Sequence, residues 1–189
     1  LPFVGANKNF AANGTDANSH FGYIFGASNY SQNAQDISPA LTDVKILSGS
    51  IISPYAFYGC DKLTNISLPN SVVEIANREF RYCSSLKQIN LPDSVRTIGE
   101  RAFSDCVELV NITIPDSVIQ INNNAFTSCS KLNNLILPNS ITTIGAEAFY
   151  NCVELSNLEI SNGVTTIGID AFENCPISEV KMPATAISY

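Results

Sequence analysis

The side chains of this chain that could do chemistry are, first, its six cysteines: Cys60, Cys83, Cys106, Cys129, Cys152 and Cys175. Zinc sites need thiols in close pairs such as Cys-x-x-Cys, and here every gap between neighbours is 23 residues. Disulfides are the second possibility. Equivalent positions in stacked turns lie about 4.8 Å apart, a span that a bridge covers, but the side-chain vectors run parallel rather than toward each other. The cysteines are therefore expected as buried free thiols, small core hydrophobes that say little about redox compartment. His20 is the single histidine and there is no tryptophan. A nucleophile with a positioned base could be built only around His20, whose surroundings supply neither nucleophile nor orienting group, so a surface histidine is expected. Glu74, Glu100, Glu108, Glu147, Glu154 and Asp170 sit at variable positions rather than as a pair and are expected on a solvated surface. No glycine-rich loop matches a phosphate cradle. No catalytic residue, metal or cofactor is expected.

The cysteine spacing is shared by other residues, and that fixes the elements. Phe57, Phe80, Phe103, Phe126, Phe149 and Phe172 repeat three residues before each cysteine; Pro69, Pro92, Pro115 and Pro138 repeat nine residues after the first four. A period of this length means that neighbouring units share one elongated core, and that one unit alone cannot offset the entropy of ordering its backbone. The unit runs Leu-x-x-Ile-x-Leu-Pro-x-Ser-Val-x-x-Ile-Gly-x-x-Ala-Phe-x-x-Cys, clearest from Leu86 to Cys106. Ile89 and Leu91 alternate with polar Gln88 and Asn90, the period of a strand with one buried face. Pro92-Asp93-Ser94 should then turn the chain, with proline at the second turn position. Gly99, Gly145 and Gly168 should serve a second bend that needs free φ. Ala102, Phe103 and Cys106 have the spacing of one helical turn, expected as the opposite wall.

The fold class expected is a repeat solenoid. Residues 41–189 form about six 23-residue units in one continuous domain, and residues 1–40 an N-terminal cap or enlarged connection containing the apolar run from Phe21 to Phe25. With 10 Lys+Arg against 17 Asp+Glu, a net charge of −7, the chain lacks the cationic footprint needed for nucleic acid or anionic lipid. Membrane insertion is not expected, because no apolar run approaches 18 residues. The first residues, Leu1 to Gly5, lack the form of a signal peptide, so either a cytoplasmic protein or a piece of a longer chain is expected.

The repeat unit resembles the leucine-rich repeats of the BspA type, also called the Treponema pallidum type, over about residues 41–183. The resemblance implies a right-handed superhelix that is β-rich within the α/β leucine-rich-repeat class, with a parallel sheet on its concave face and short helical turns or irregular structure on the other side. It also implies a bacterial cell-surface or extracellular location, with signal and anchor outside this sequence, and adhesion or protein binding as the role. The position of the asparagine ladder in many such repeats is held here by Ser71, Ser94, Ser117 and Ser140, so a serine ladder is expected to take over its hydrogen bonds.

Given that architecture, the outward strand residues become the candidate binding face: Lys87, Gln88, Asn90, Val110, Asn111, Thr113, Asn133, Asn134, Ile136, Asn157 and Glu159. These amides and hydroxyls surround an apolar spot at Val110 and Ile136, and suit a protein or glycoprotein ligand held by many modest hydrogen bonds. A monomer is expected. Two other roles stay open: a structural spacer within a larger surface protein, and a hydrolase with a site in residues 1–40.

Overall fold

The computed structural model describes residues 42–50, 52 and 54–181. The expected cap at 1–40, with His20 and the Phe21 to Phe25 run, lies outside the described residues. The rest is a parallel-strand solenoid of about six coils, with no helix among the described residues. Each full coil contributes two strands. The three-residue strands are β1 (Asp43–Lys45), β2 (Asn65–Ser67), β4 (Gln88–Asn90), β6 (Asn111–Thr113), β8 (Asn134–Ile136), β10 (Asn157–Glu159) and β12 (Glu179–Lys181). The two-residue strands are β3 (Glu74–Ile75), β5 (Thr97–Ile98), β7 (Gln120–Ile121), β9 (Thr143–Ile144) and β11 (Thr166–Ile167).

The long strands form a four-stranded sheet, β1-β2-β4-β6, and a three-stranded sheet, β8-β10-β12, with a break in the ladder between β6 and β8. The short strands form one five-stranded parallel sheet, β3-β5-β7-β9-β11. This second sheet is absent from the sequence expectation, because two residues are too few for period-two alternation to register. The long strands do follow that alternation: Ile66, Ile89, Ile112, Leu135 and Leu158 are buried between exposed neighbours.

The wall expected as a helical turn is not helical. Each coil places a left-handed residue two positions before its phenylalanine (Tyr55, Arg78, Arg101, Asn124, Glu147, Asp170) and another two after it (Gly59, Tyr82, Asp105, Ser128, Asn151, Asn174). A helix directs its N–H groups along its own axis, whereas this alternation turns every second N–H toward the next coil. Arg78, Phe80 and Tyr82 accordingly donate to the carbonyls of Glu100, Ala102 and Ser104 at 2.9, 2.8 and 3.0 Å. The same three bonds recur at each later junction, so backbone hydrogen bonds tie the coils together on the turn side too.

The inner ends of those turns carry the main core feature. Phe57, Phe80, Phe103, Phe126, Phe149 and Phe172 form a continuous stack with centroids 5.1–5.3 Å apart and ring planes within 8°. Each thiol from Cys83 onward donates to the carbonyl of the phenylalanine 26 residues earlier, as Cys106 does to Phe80 at 3.1 Å.

Two turn assignments change. The hydrogen-bonded turn closes from Val95 N–H to Pro92 carbonyl at 3.0 Å, so proline is its first residue rather than its second. Gly99, Gly145 and Gly168 are not in the left-handed region; they are required by close approach of coils. A Cβ on Gly145 would lie 2.5 Å from the nitrogen of Asn123 and 2.6 Å from the carbonyl carbon of Asn122. Asn123 Oδ1 accepts from the Ala146 N–H at 2.9 Å, and Asn77 Oδ1 from Glu100 at 2.8 Å, so each of these asparagines fills the space left by the next coil's glycine. Gly145→Ala is therefore expected to cost about 1–3 kcal/mol, since backbone must move to admit the methyl. Urea unfolding of this variant beside the exposed-site control Thr142→Ala checks it, and equal midpoints would refute the close-approach explanation.

Candidate functional site

The serine ladder is mostly present. Ser71, Ser94 and Ser117 donate to the carbonyls of Gly49, Val72 and Val95 in the preceding coil at 2.7, 2.5 and 2.6 Å. Ser140 breaks the series, its buried hydroxyl having no partner among the described residues, while Ser161, in the next coil, bonds the Leu137 carbonyl. These hydroxyls serve the scaffold and are not available to a ligand.

The cysteines are all free thiols. Burial pushes Cys60 up to about 12 and raises Cys83, Cys106 and Cys129 above the ordinary thiol range. Cys152 is raised by its hydrogen bond with Cys175 and by burial, and the same bond lowers Cys175, which is half-buried in the last complete turn. Thiolates are the reactive form, so five of the six should resist a thiol reagent near pH 8 in the folded protein and all six should react in denaturant. Rapid native reaction of more than one thiol would contradict this packing. No group of three or more His, Cys, Asp or Glu side chains able to hold a metal occurs among the described residues.

The exposed face of the long strands is where the candidate residues meet. They form two columns. One contains Gln88 and Asn111 in register, and Asn134 in register with Asn157; the other pairs Asn90 with Thr113, and Ile136 with Glu159. Lys87 and Asn133 precede their strands. The columns are not continuous: the break between β6 and β8 separates Lys87 to Thr113 from Asn133 to Glu159. Ile136 is 70% exposed at that seam, whereas Val110 is partly buried and bonded through its N–H to the Lys87 carbonyl at 3.1 Å, so the expected apolar spot reduces to Ile136.

The polar groups of the face differ in availability. Asn65 donates to Asp43 at 2.8 Å, Asn157 to Asn134 at 3.0 Å and Asn134 to Asn133 at 2.6 Å, so these amides partly satisfy one another. Thr42 and Asn65 also hold the Asp43 carboxyl below its ordinary value. By contrast, the side chains of Gln88, Asn90, Asn111 and Thr113 make no hydrogen bond to any described residue.

A second cluster escaped the pattern-based reading. Arg78, Arg81, Arg96 and Arg101 are the only arginines in the sequence, and three of them lie on the turn side of neighbouring coils. Arg78 donates to Tyr55 Oη at 2.7 Å and pairs with Glu100 at 3.1 Å; Arg101 pairs with the same carboxylate oxygen, and Arg81 lies 3.5 Å from Asp105 and over the Tyr82 ring. Their clustering was visible in the sequence, but the 23-residue motif treats those positions as variable. The carboxylates occupy these guanidiniums, so the cluster braces adjacent coils.

Stacked parallel strands, a phenylalanine spine and repeated turns define a leucine-rich-repeat solenoid. The profile described as "BspA type Leucine rich repeat region" matches residues 50–179, in six copies. The chain belongs to that family. Among solved structures it is similar to a leucine-rich repeat protein of T. pallidum, at 35% identity over 62% of this chain and 58% of that one, with a TM-score of 0.61. It is also similar to a leucine-rich cell surface protein of Faecalibacterium prausnitzii (27% identity, 74% and 47% coverage, TM-score 0.60) and to the pneumococcal vaccine antigen PcpA (26% identity, 64% and 31% coverage, TM-score 0.54). The chain thus spans less than two thirds of the length of each of these proteins. No curated protein matches it.

Proposed function

We propose that this chain is a non-enzymatic binding module of a bacterial surface protein, and that its long-strand face engages a protein or glycoprotein of a host or neighbouring cell. One observation carries the reading: on β4 and β6, Gln88, Asn90, Asn111 and Thr113 present four in-register amide and hydroxyl groups with no partner among the described residues. Unpaired groups in a fixed array can each exchange a water for a ligand atom without first breaking a bond in the protein. The similarity to a cell surface protein and a vaccine antigen supports the location. The family's repeats are interaction scaffolds by architecture, which supports binding over catalysis. Among the described residues no helix is long and apolar enough to cross a membrane.

The test is capture of extracellular-matrix and mucin glycoproteins on the immobilised chain at physiological salt, beside a triple variant with Asn111, Asn134 and Ile136 changed to Glu. These three straddle the seam at the centre of the face. Saturable capture that the triple variant loses is expected. Capture that survives the substitutions refutes the face, and no capture by either chain favours a structural spacer.

A further inference from the structure

A concavity opens at the rim of the long-strand face between the second and third coils. A cleft of about 280 Å³ is lined by Ile66, Ser67, Leu68 and Asn70 from one coil and Asn90, Leu91, Pro92 and Asp93 from the next. It forms where the ladder is thinnest: β2 and β4 are in register only at Ser67 and Asn90, whereas β4 and β6 share three pairs. The chain then turns at the prolines, which carries Asn70 and Asp93 out beyond the strand ends.

The chemistry of the lining is specific. The side chains of Ser67, Asn70, Asn90 and Asp93 are exposed, and none makes a hydrogen bond or ion pair with another described residue. Together they offer a hydroxyl, two amides that donate and accept, and a carboxylate that accepts twice. Beside them Leu68 is partly exposed and supplies a small apolar surface, while Leu91 and Pro92 are buried and form the floor. At about 280 Å³ the space falls below the roughly 300–1,000 Å³ of pockets for drug-sized ligands, and so fits a single ring. No lysine or arginine lines it, and Asp93 disfavours an anion. A calcium ion wants six to eight oxygen ligands, and one carboxylate with two amides and a hydroxyl falls short. Adjacent hydroxyls on a ring with an apolar C–H face match the set.

We infer that this cleft is a subsite for one neutral sugar residue, through which the long-strand face anchors a glycan or the glycan part of a glycoprotein. Asp93 and the Asn70 and Asn90 amides bond the ring hydroxyls, Ser67 bonds a further one, and the partly exposed Leu68 meets the C–H face. The inference rests on the binding role proposed above and deepens it. The repeat makes the site local: the residues equivalent to Ser67 and Asn90 two coils later are Thr113 and Ile136, and an isoleucine offers no partner to a hydroxyl.

Saturation-transfer NMR on the full chain tests it with the methyl glycosides of glucose, galactose, mannose and N-acetylglucosamine, and with glucuronic acid as the anionic control. At least one neutral glycoside is expected to bind saturably in the millimolar range. Asn90→Ala and Asp93→Asn should each weaken it about tenfold, while Asn157→Ala on the same face changes nothing. Unchanged melting temperatures show that the variants stay folded. Saturation by none of the four glycosides, equal binding of glucuronate, or equal loss in Asn157→Ala overturns the assignment. Capture of a glycoprotein that depends on Asn111, Asn134 and Ile136, without any glycoside binding, would leave the face standing and remove only the sugar subsite.

Discussion

Phe126→Ala is expected to lower the free energy of unfolding by about 3–5 kcal/mol, a loss at the top of the range for a single buried side chain. Phe126 is fully buried and stacked on both sides, against Phe103 at 5.2 Å and Phe149 at 5.1 Å. Truncation removes both ring contacts, each worth about 0.5–1.5 kcal/mol beyond the buried area, and leaves a cavity that neighbouring coils cannot close without shifting their backbone ladders. A solenoid is stabilised through nearest-neighbour interfaces, so a gap at the middle weakens the coupling between the two halves. Phe172 is the internal control: it is only half-buried and stacks on Phe149 alone among the described rings. Phe172→Ala should cost less than half as much. Urea unfolding with a common slope measures both, and equal losses would refute the stack as the source of the effect.

The second large effect comes from a buried carboxyl. Where the units place alanine just before phenylalanine, at Ala56, Ala102, Ala125, Ala148 and Ala171, the second coil has Glu79, fully buried. Its Oε2 accepts from the Ala76 N–H at 2.7 Å. In every later coil the equivalent N–H, of Gly99, Asn122, Gly145 or Gly168, donates to a carbonyl of the preceding coil at 2.8–3.0 Å. Glu79 therefore caps the outermost strand of the five-stranded sheet, β3, with a side-chain oxygen in place of a backbone one.

The cost falls on its other oxygen, Oε1, which is buried without a partner among the described residues. Burial raises this carboxyl well above its ordinary value of 4.5, the Ala76 N–H opposes the shift, and the Glu74 carboxylate adds to it. For a carboxyl raised in the folded state, the folded chain holds a proton that the unfolded chain releases. Its contribution is full below about pH 4.5 and is lost as pH rises through the folded-state value. Glu79→Gln keeps the acceptor for Ala76 and does not titrate. The variant should match the parent near pH 4 and exceed it near pH 7 by about 1–3 kcal/mol, because only the parent has a carboxyl that above its unfolded value must either keep its proton or be buried as a charge. Thermal unfolding across that range decides, and parallel pH profiles for the two proteins would show that Glu79 is not the titrating group.

Much of the fold was legible because a repeat reports the same environment several times. One buried phenylalanine is an observation about one site; six at equal spacing state that the coils share an axis, and the free thiols follow from the same spacing. The turn wall was misread. Ala102, Phe103 and Cys106 have helical spacing, but Arg101 and Asp105 adopt left-handed φ, which nothing in their side chains requires. That conformation arises because the coils need N–H groups aimed across the stack, a demand that exists only once the stack has formed. Gly99 and Gly145 were recognised as constrained positions for the wrong reason, since a close approach between coils and a need for free φ leave the same letter in the sequence.

The candidate face divides in the same way. Which residues of the strands point outward followed from alternation alone, and Gln88, Asn90, Asn111 and Thr113 stand where that alternation places them. Which of them are free to bind did not, because Asn65 and Asn134 are the same residue type as Asn111 and differ only in whether a neighbouring coil supplies a partner. The cleft was hidden for a related reason: Ser67 and Asn90 lie 23 residues apart in sequence, and Asn70 and Asp93 likewise, until stacking brings them to one rim. The sequence alone therefore determined the period, the buried set and the outward face, since these depend on the order of side chains along one coil. Register, ladder breaks and unpaired groups were decided only by the tertiary structure, because each depends on what the adjacent coil brings within hydrogen-bond distance.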